Sequence, residues 1–325
     1  MKLGFIDTIL VKHSFEEVMD FAAKHKFDNV EVSCWPIKSK EEVDQFMAEN
    51  GDIQESLLNY FLGITHIDVQ TLTDERIAYI KDYEEKTGVK VSALAYYANP
   101  IEPGEGKRKK HAEHYRKLIE AASKLDVNMV TTFIGRDQFK PVEENIEIAV
   151  EFWTPIIKYA EEFNVKIAIE NCPMYFNKDQ WPGGQNLMTT PVIWREMFER
   201  IPSDHFGLCY DPSHMVFQHM DPIKPIYAFK DKIFYVHFKD AKVYKDKLDE
   251  MGIMAHPLDY TAQKLPGLGD IDWSKYVSAL TDIGYEGYSS IEIEDRAYEH
   301  SQDAIYKSIL ISQKYLQQFV IRVDD

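Results

Sequence analysis

The chain is short of cysteine, of positive charge, of glycine-rich turns and of long apolar runs. Its three cysteines, Cys34, Cys172 and Cys209, are odd in number and have no short-range pairing, so they build no disulfide framework. Reduced thiols in a cytoplasmic setting are the expectation. No apolar window approaches the roughly 18 residues that a membrane helix needs, so no span and no membrane partner is expected. The first residues, Met1-Lys2-Leu3-Gly4-Phe5-Ile6-Asp7, lack the layout of a signal peptide. Lys and Arg number 37 against 54 Asp and Glu, a net charge of −17. Binding to a phosphate backbone depends on dense Lys/Arg contacts, so no nucleic acid partner is expected. The turn after the first apolar run is Asp7-Thr8-Ile9-Leu10, without the glycines of a dinucleotide-binding sheet.

Apolar residues make up 45% of the 325, enough for a large core. Short apolar runs alternate with longer amphipathic stretches, which predicts repeated βα units. The runs are Leu3 to Ile6, Asn29 to Ser33, Val89 to Ala95, Val127 to Ile134, Val165 to Glu170, Gly207 to Tyr210, Ile233 to Asp240 and Tyr288 to Ile293. Helix signals fall between them. Ser14 and Glu17 form a capping box for a helix reaching about Lys26. Thr73 opens a helix that Gly88 closes. Further helices are expected from about 111 to 125, from 142 to 163, from Pro191, from Asp272 to Gly284, and from 297 to 318. Residues 99–110 and 241–270 read as loops, and about 37–70 as a helical insertion over the rim. Eight strands with intervening helices predict a single-domain α/β fold over 1–325, a (β/α)8 TIM barrel.

In such a barrel catalytic groups collect at the carboxyl ends of the strands. The last inward candidates on the last four strands are Glu170, Asp211, His237 and Glu292. Taken singly, each has an ordinary explanation: a helix cap, a turn residue before Pro212, a core histidine. Together they would place three carboxylates in one apolar barrel mouth, where they repel one another. A divalent cation removes that cost. Oxygen-rich ligands with one imidazole suit Mn²⁺ first, with Co²⁺, Mg²⁺ and Zn²⁺ compatible. Cys172 and Cys209 lie two residues from Glu170 and Asp211 and read as small wall residues, not ligands.

The segments Ile169-Glu170-Asn171-Cys172-Pro173, Tyr210-Asp211-Pro212-Ser213-His214, Val236-His237-Phe238-Lys239-Asp240, Gly267-Leu268-Gly269-Asp270-Ile271-Asp272-Trp273 and Ser290-Ile291-Glu292 carry a resemblance. In this order they resemble the xylose isomerase-like TIM-barrel superfamily, and more narrowly its sugar phosphate isomerase/epimerase group. The resemblance implies one metal ion held by Glu170, Asp211, His237 and Glu292, with His214 contacting substrate. It further implies a small sugar or polyol substrate, and homo-oligomers are common in the group.

The expected reaction is isomerisation or epimerisation by proton abstraction next to a carbonyl, through an enediolate. Glu170 and Glu292 are the expected acid/base pair, and His214 is a third catalytic candidate. Expected substrate contacts are His214, Asn171, Lys239 and the aromatic wall Trp35; Trp181 is a second candidate wall. His256 reads as a surface histidine. Ketose 3-epimerases of the family carry a Glu and an Arg where this chain has Phe176 and Val243, a departure that counts against that one activity. A keto-inositol (inosose) dehydratase on the same site is the alternative, and a non-catalytic sugar-binding barrel a more distant one. An endonuclease reading fails on the acidic charge and on the absence of His from Ala95-Tyr96-Tyr97-Ala98.

Overall fold

The computed structural model describes residues 1–42, 44, 48, 63–175 and 181–321. The strands in chain order are β1 (Lys2–Ile6), β2 (Asn29–Ser33), β3 (Lys90–Tyr96), β4 (Met129–Thr132), β5 (Lys166–Glu170), β6 (Phe206–Tyr210), β7 (Ile233–Phe238), β8 (Asp240–Val243), β9 (Thr261–Lys264) and β10 (Tyr288–Ile291). Eight of them close into a parallel barrel in the order β1-β10-β7-β6-β5-β4-β3-β2. The closing pair sets Lys2 beside Tyr288 and Phe5 beside Ile291. This is the (β/α)8 TIM barrel, with helices outside the sheet.

The strands are buried on both faces, as parallel sheets are. One face of β2 is Val30 and Val32, packed in the apolar core. Its alternate residues Asn29, Glu31 and Ser33 are polar and fully buried. Gly207 is required by close approach: a Cβ there would stand 2.5 Å from the Lys232 carbonyl and from the Phe234 ring.

Local signals placed several helices well. Ser14 and Glu17 form the reciprocal capping box of helix Phe15–Lys24. Thr73 caps helix Asp74–Thr87, and Gly88 ends it at φ 69 in the left-handed region. Asp272 caps Trp273–Asp282. Three expectations change. The helix expected from His111 begins at Glu105. Its first turns, Glu105-Gly106-Lys107-Arg108-Lys109-Lys110, are polar and show no apolar period to read. The C-terminal helix spans Gln302–Leu316, after a 3₁₀ turn at Arg296–Tyr298. The stretch 241–270 is not a plain loop: β8 and β9 pair as an antiparallel ribbon, from Asp240↔Lys264 to Val243↔Thr261.

Much of the expected insertion at 37–70 lies outside the described residues. Its described end is tied to the barrel by a bridge between Cys34 and Thr65. Among the described residues no helix is long and apolar enough to cross a membrane. All three cysteines are free.

Candidate metal centre and active site

Two buried asparagines set the strand ends. Asn171, next after β5, donates to the Asp211 carbonyl at 2.9 Å and accepts from the Asp211 N–H at 2.8 Å. Asn186 donates to the carbonyls of Glu170 (2.9 Å) and Cys172 (2.7 Å) and accepts from the N–H groups of Ile134 and Gly135. Together they lock the ends of β4, β5 and β6, so Glu170 and Asp211 project from fixed backbone. The Asp211 Oδ1 accepts from the Ser213 N–H at 2.8 Å, at the first residue of helix Ser213–Phe217. Its Oδ2 is thereby turned inward, and among the described residues it accepts no well-formed hydrogen bond.

Glu170, Asp211, His237 and Glu292 meet there. Each offers one ligand atom, and these atoms all lie within 4.8 Å of one another. A divalent cation binds such atoms at about 2.0–2.2 Å, so its ligands stand at most about 4.4 Å apart. The donor set therefore fits a single cation after a contraction of a few tenths of an ångström. The underused Asp211 Oδ2 is part of that fit.

Lys239, two residues beyond His237 and so on the same face of the chain, puts its ammonium among the acids. Its Nζ lies 2.8 Å from Glu292, 3.1 Å from Asp211, 3.2 Å from Glu294 and 3.8 Å from Glu170. Burial alone would raise the Glu170 and Asp211 pKa values. The Lys239 charge, with a hydrogen bond from His214 at Glu170 and the His214 charge beside Asp211, outweighs burial and holds both carboxyls below the usual range. Burial in turn disfavours the ammonium, but Glu292, Glu294 and Asp211 hold the Lys239 pKa well above its ordinary value. Lys239, His214 and His237 face five acids, Glu31, Glu170, Asp211, Glu292 and Glu294, so acids outnumber bases even with both rings protonated, an excess that a divalent ion would offset.

His237 spans two environments. Its Nδ1 is 3.1 Å from Glu292 and 3.7 Å from Glu170. Its Nε2 is 2.8 Å from Glu31, a mid-strand residue of β2 that is not among the residues expected in the site. The polar alternation Asn29–Glu31–Ser33 was the available signal, because in a strand buried on both faces such residues point into the barrel. His214 lies 3.1 Å from Glu170 and 3.2 Å from Asp211 through Nε2. Its Nδ1 has no hydrogen-bond partner among the described residues. Trp35 is buried, edge-on to Tyr96 and tilted against Tyr97, whose hydroxyl is 3.3 Å from His237 Nε2. Trp181 packs beside Tyr175 and His256. His256 is not a surface residue: it is 6% exposed and caps a short helix by accepting from the Leu258 N–H. Phe176 lies outside the described residues. Val243 ends the first strand of the ribbon.

An eight-stranded parallel barrel with carboxylates and one histidine at the carboxyl ends of successive strands defines a class. The model of the xylose isomerase-like TIM barrel family matches residues 19–314, and the chain belongs to that family. It is 25% identical to an inosose dehydratase of Clostridium tetani, over 90% of this chain and 97% of that one. A solved IolI protein with a bound zinc atom superposes with TM-score 0.67 at 18% identity, over 99% of this chain and 100% of that one. D-psicose 3-epimerase of Clostridium cellulolyticum H10 superposes with TM-score 0.66 at 15% identity, covering 98% of this chain and 99% of that one. These two structural likenesses concern the fold.

Proposed function

We propose that the protein is a divalent-metal-dependent sugar isomerase or epimerase that moves a proton at a carbon next to a carbonyl. The observation that carries this reading is the convergence of two glutamates from opposite parts of the barrel mouth. Glu170 ends β5 and Glu292 follows β10, with β6 and β7 between them. Both reach the same ammonium, at 3.8 and 2.8 Å. A cation held by Glu170, Asp211, His237 and Glu292 would polarise the substrate carbonyl and hold the neighbouring hydroxyl. One glutamate takes the proton from one face of the carbon, leaving an enediolate. The other returns a proton to the opposite face, which inverts the centre, or to the adjacent carbon, which exchanges ketone and aldehyde. Each such step supplies about 10²–10⁴-fold in rate.

The other residues hold the substrate. His214 offers an Nδ1 that has no hydrogen-bond partner among the described residues, Lys239 a buried ammonium for a substrate oxygen, and Trp35 an apolar wall. Asn171 acts through Asp211, since its amide is occupied there. No glycine-rich phosphate cradle occurs in the sequence, which supports an unphosphorylated keto-sugar or polyol ketone. The metal proposed is Mn²⁺, with Zn²⁺ the first competitor given the zinc in the IolI structure.

A dehydratase reading has its own support in the C. tetani relative. There the same base takes the α-proton, the β-carbon–oxygen bond breaks, and Lys239 or His214 gives a proton to the departing hydroxyl, which leaves as water. Incubation with keto-sugars and inososes in deuterated water separates the two. Deuterium entry with conserved substrate mass otherwise supports the isomerase or epimerase. Loss of water supports the dehydratase. No deuterium entry into any substrate of the panel counts against both.

A further inference from the structure

The proposal that follows rests on the metal-site reading and concerns how His237 is presented to it. Glu31 is fully buried inside the barrel, far from any surface counter-ion, and its carboxylate is used on both oxygens. Oε1 accepts from the Tyr97 hydroxyl at 2.6 Å and from the Thr131 hydroxyl at 2.6 Å. Oε2 faces His237 Nε2 at 2.8 Å. A charged side chain costs too much at such a place to serve as filling. The two hydroxyls hold it in one orientation, and the remaining oxygen is aimed at one ring nitrogen.

We propose that Glu31 is the positioning residue that keeps a hydrogen on His237 Nε2 and turns Nδ1 toward the cluster of Glu170, Asp211 and Glu292, so that Nδ1 is the nitrogen a cation would take. A carboxylate is an acceptor only, so the nitrogen that faces it carries the hydrogen. The Tyr97 hydroxyl gives its own hydrogen to Glu31, so at 3.3 Å from Nε2 it can only accept from that ring N–H, which agrees with Nε2 carrying the hydrogen. Nδ1 faces the Glu292 carboxylate in the same way, so in the metal-free protein it carries a hydrogen too; a cation entering the cluster would displace that hydrogen and take the Nδ1 lone pair, while Glu31 keeps the hydrogen on Nε2. A carboxylate behind a ligating histidine both orients the ring and makes it more basic. Glu31, on β2, thus acts across the barrel on β7 without touching metal or substrate.

Glu31→Gln tests this with almost no change of shape. The amide either donates to Nε2, which moves the ring hydrogen to Nδ1, or presents a neutral oxygen that stabilises the ring less. We expect Zn²⁺ affinity, measured by competition with a chromophoric chelator, to fall about 10- to 100-fold. The melting temperature of the metal-free protein should change by only a few degrees. Tyr97→Phe and Thr131→Val, which loosen Glu31 but keep its bond to His237, should lose less affinity. A second readout needs neither variant nor metal: ¹⁵N NMR of the wild-type protein should show a slowly exchanging hydrogen on His237 Nε2. Unchanged affinity in Glu31→Gln, or an Nε2 without its hydrogen in the wild type, overturns the proposal. A wild type that shows the Nε2 hydrogen but takes up no divalent ion overturns the metal reading instead.

Discussion

Asp211 and Asp240 lie at the same rim, both fully buried, and they are satisfied in opposite ways. The Asp240 carboxylate accepts from the N–H groups of Ala241, Gly267, Gly269 and Ile271, at 2.9–3.2 Å, and from the Trp273 indole at 2.9 Å. It staples the Gly267–Trp273 segment onto the end of β7. Gly269 has to be glycine there, since a Cβ would stand 2.2 Å from Asp240 Oδ1. Asp211 has one backbone donor on Oδ1, while its Oδ2 is left to Lys239 and His214. A buried carboxylate with every lone pair used holds structure; one with an oxygen in reserve, beside other acids, is prepared for a cation.

The contrast is sharpest in activity. Glu170→Gln keeps the shape of the cluster but removes the proposed base, and should lower kcat/KM by about 10³- to 10⁴-fold with folding intact. A loss under tenfold, measured on the substrate identified by deuterium exchange, would contradict its role. Next in size is Asp240→Asn, whose amide can accept on one atom only. It should destabilise the protein by about 2–3 kcal/mol in chemical denaturation while leaving metal stoichiometry alone. If it abolished metal binding instead, the division between the two aspartates would be wrong.

Lys239→Met asks whether the ammonium and the cation share the acids. Removing the like charge should tighten metal binding by about tenfold or more, together with a loss of turnover. Weaker binding in this variant would show that Lys239 supports the ion rather than opposing it. The smallest effect is in acid. Glu170 and Asp211 have native pKa values below their unfolded ones. Their stabilisation of the metal-free protein is complete above the ordinary carboxylate range of about 4 and is lost as pH falls through the lower native values. The stability margin of wild type over Asp211→Asn should hold from about pH 7 to 5 and shrink below about pH 4; a margin that grows on acidification would refute the sign.

Barrel and cluster were largely legible because both depend on chain-local patterns. An apolar run that stops in an acid or a histidine shows strand, strand end and direction at once. Glu31 was missed because it sits in mid-strand, where its partners Tyr97, Thr131 and His237 are remote in sequence and nothing local marks it except the alternation of Asn29, Glu31 and Ser33. The ribbon at 240–264 was missed for a related reason: Asp240-Ala241-Lys242-Val243 and Thr261-Ala262-Gln263-Lys264 are too short and too polar to declare strands. Asp240 belonged to a motif that the sequence displayed, yet only the hydrogen bonds reveal it as the anchor of Gly267–Trp273.

The proposed site for one divalent ion includes Asp211 and excludes Asp240. Titration calorimetry of the metal-free protein with Mn²⁺ tests it directly. One equivalent should bind to the wild type and to Asp240→Asn, and binding should be lost or greatly weakened in Asp211→Asn. Equal binding in the wild type and both variants, or no binding by the wild type, would contradict it.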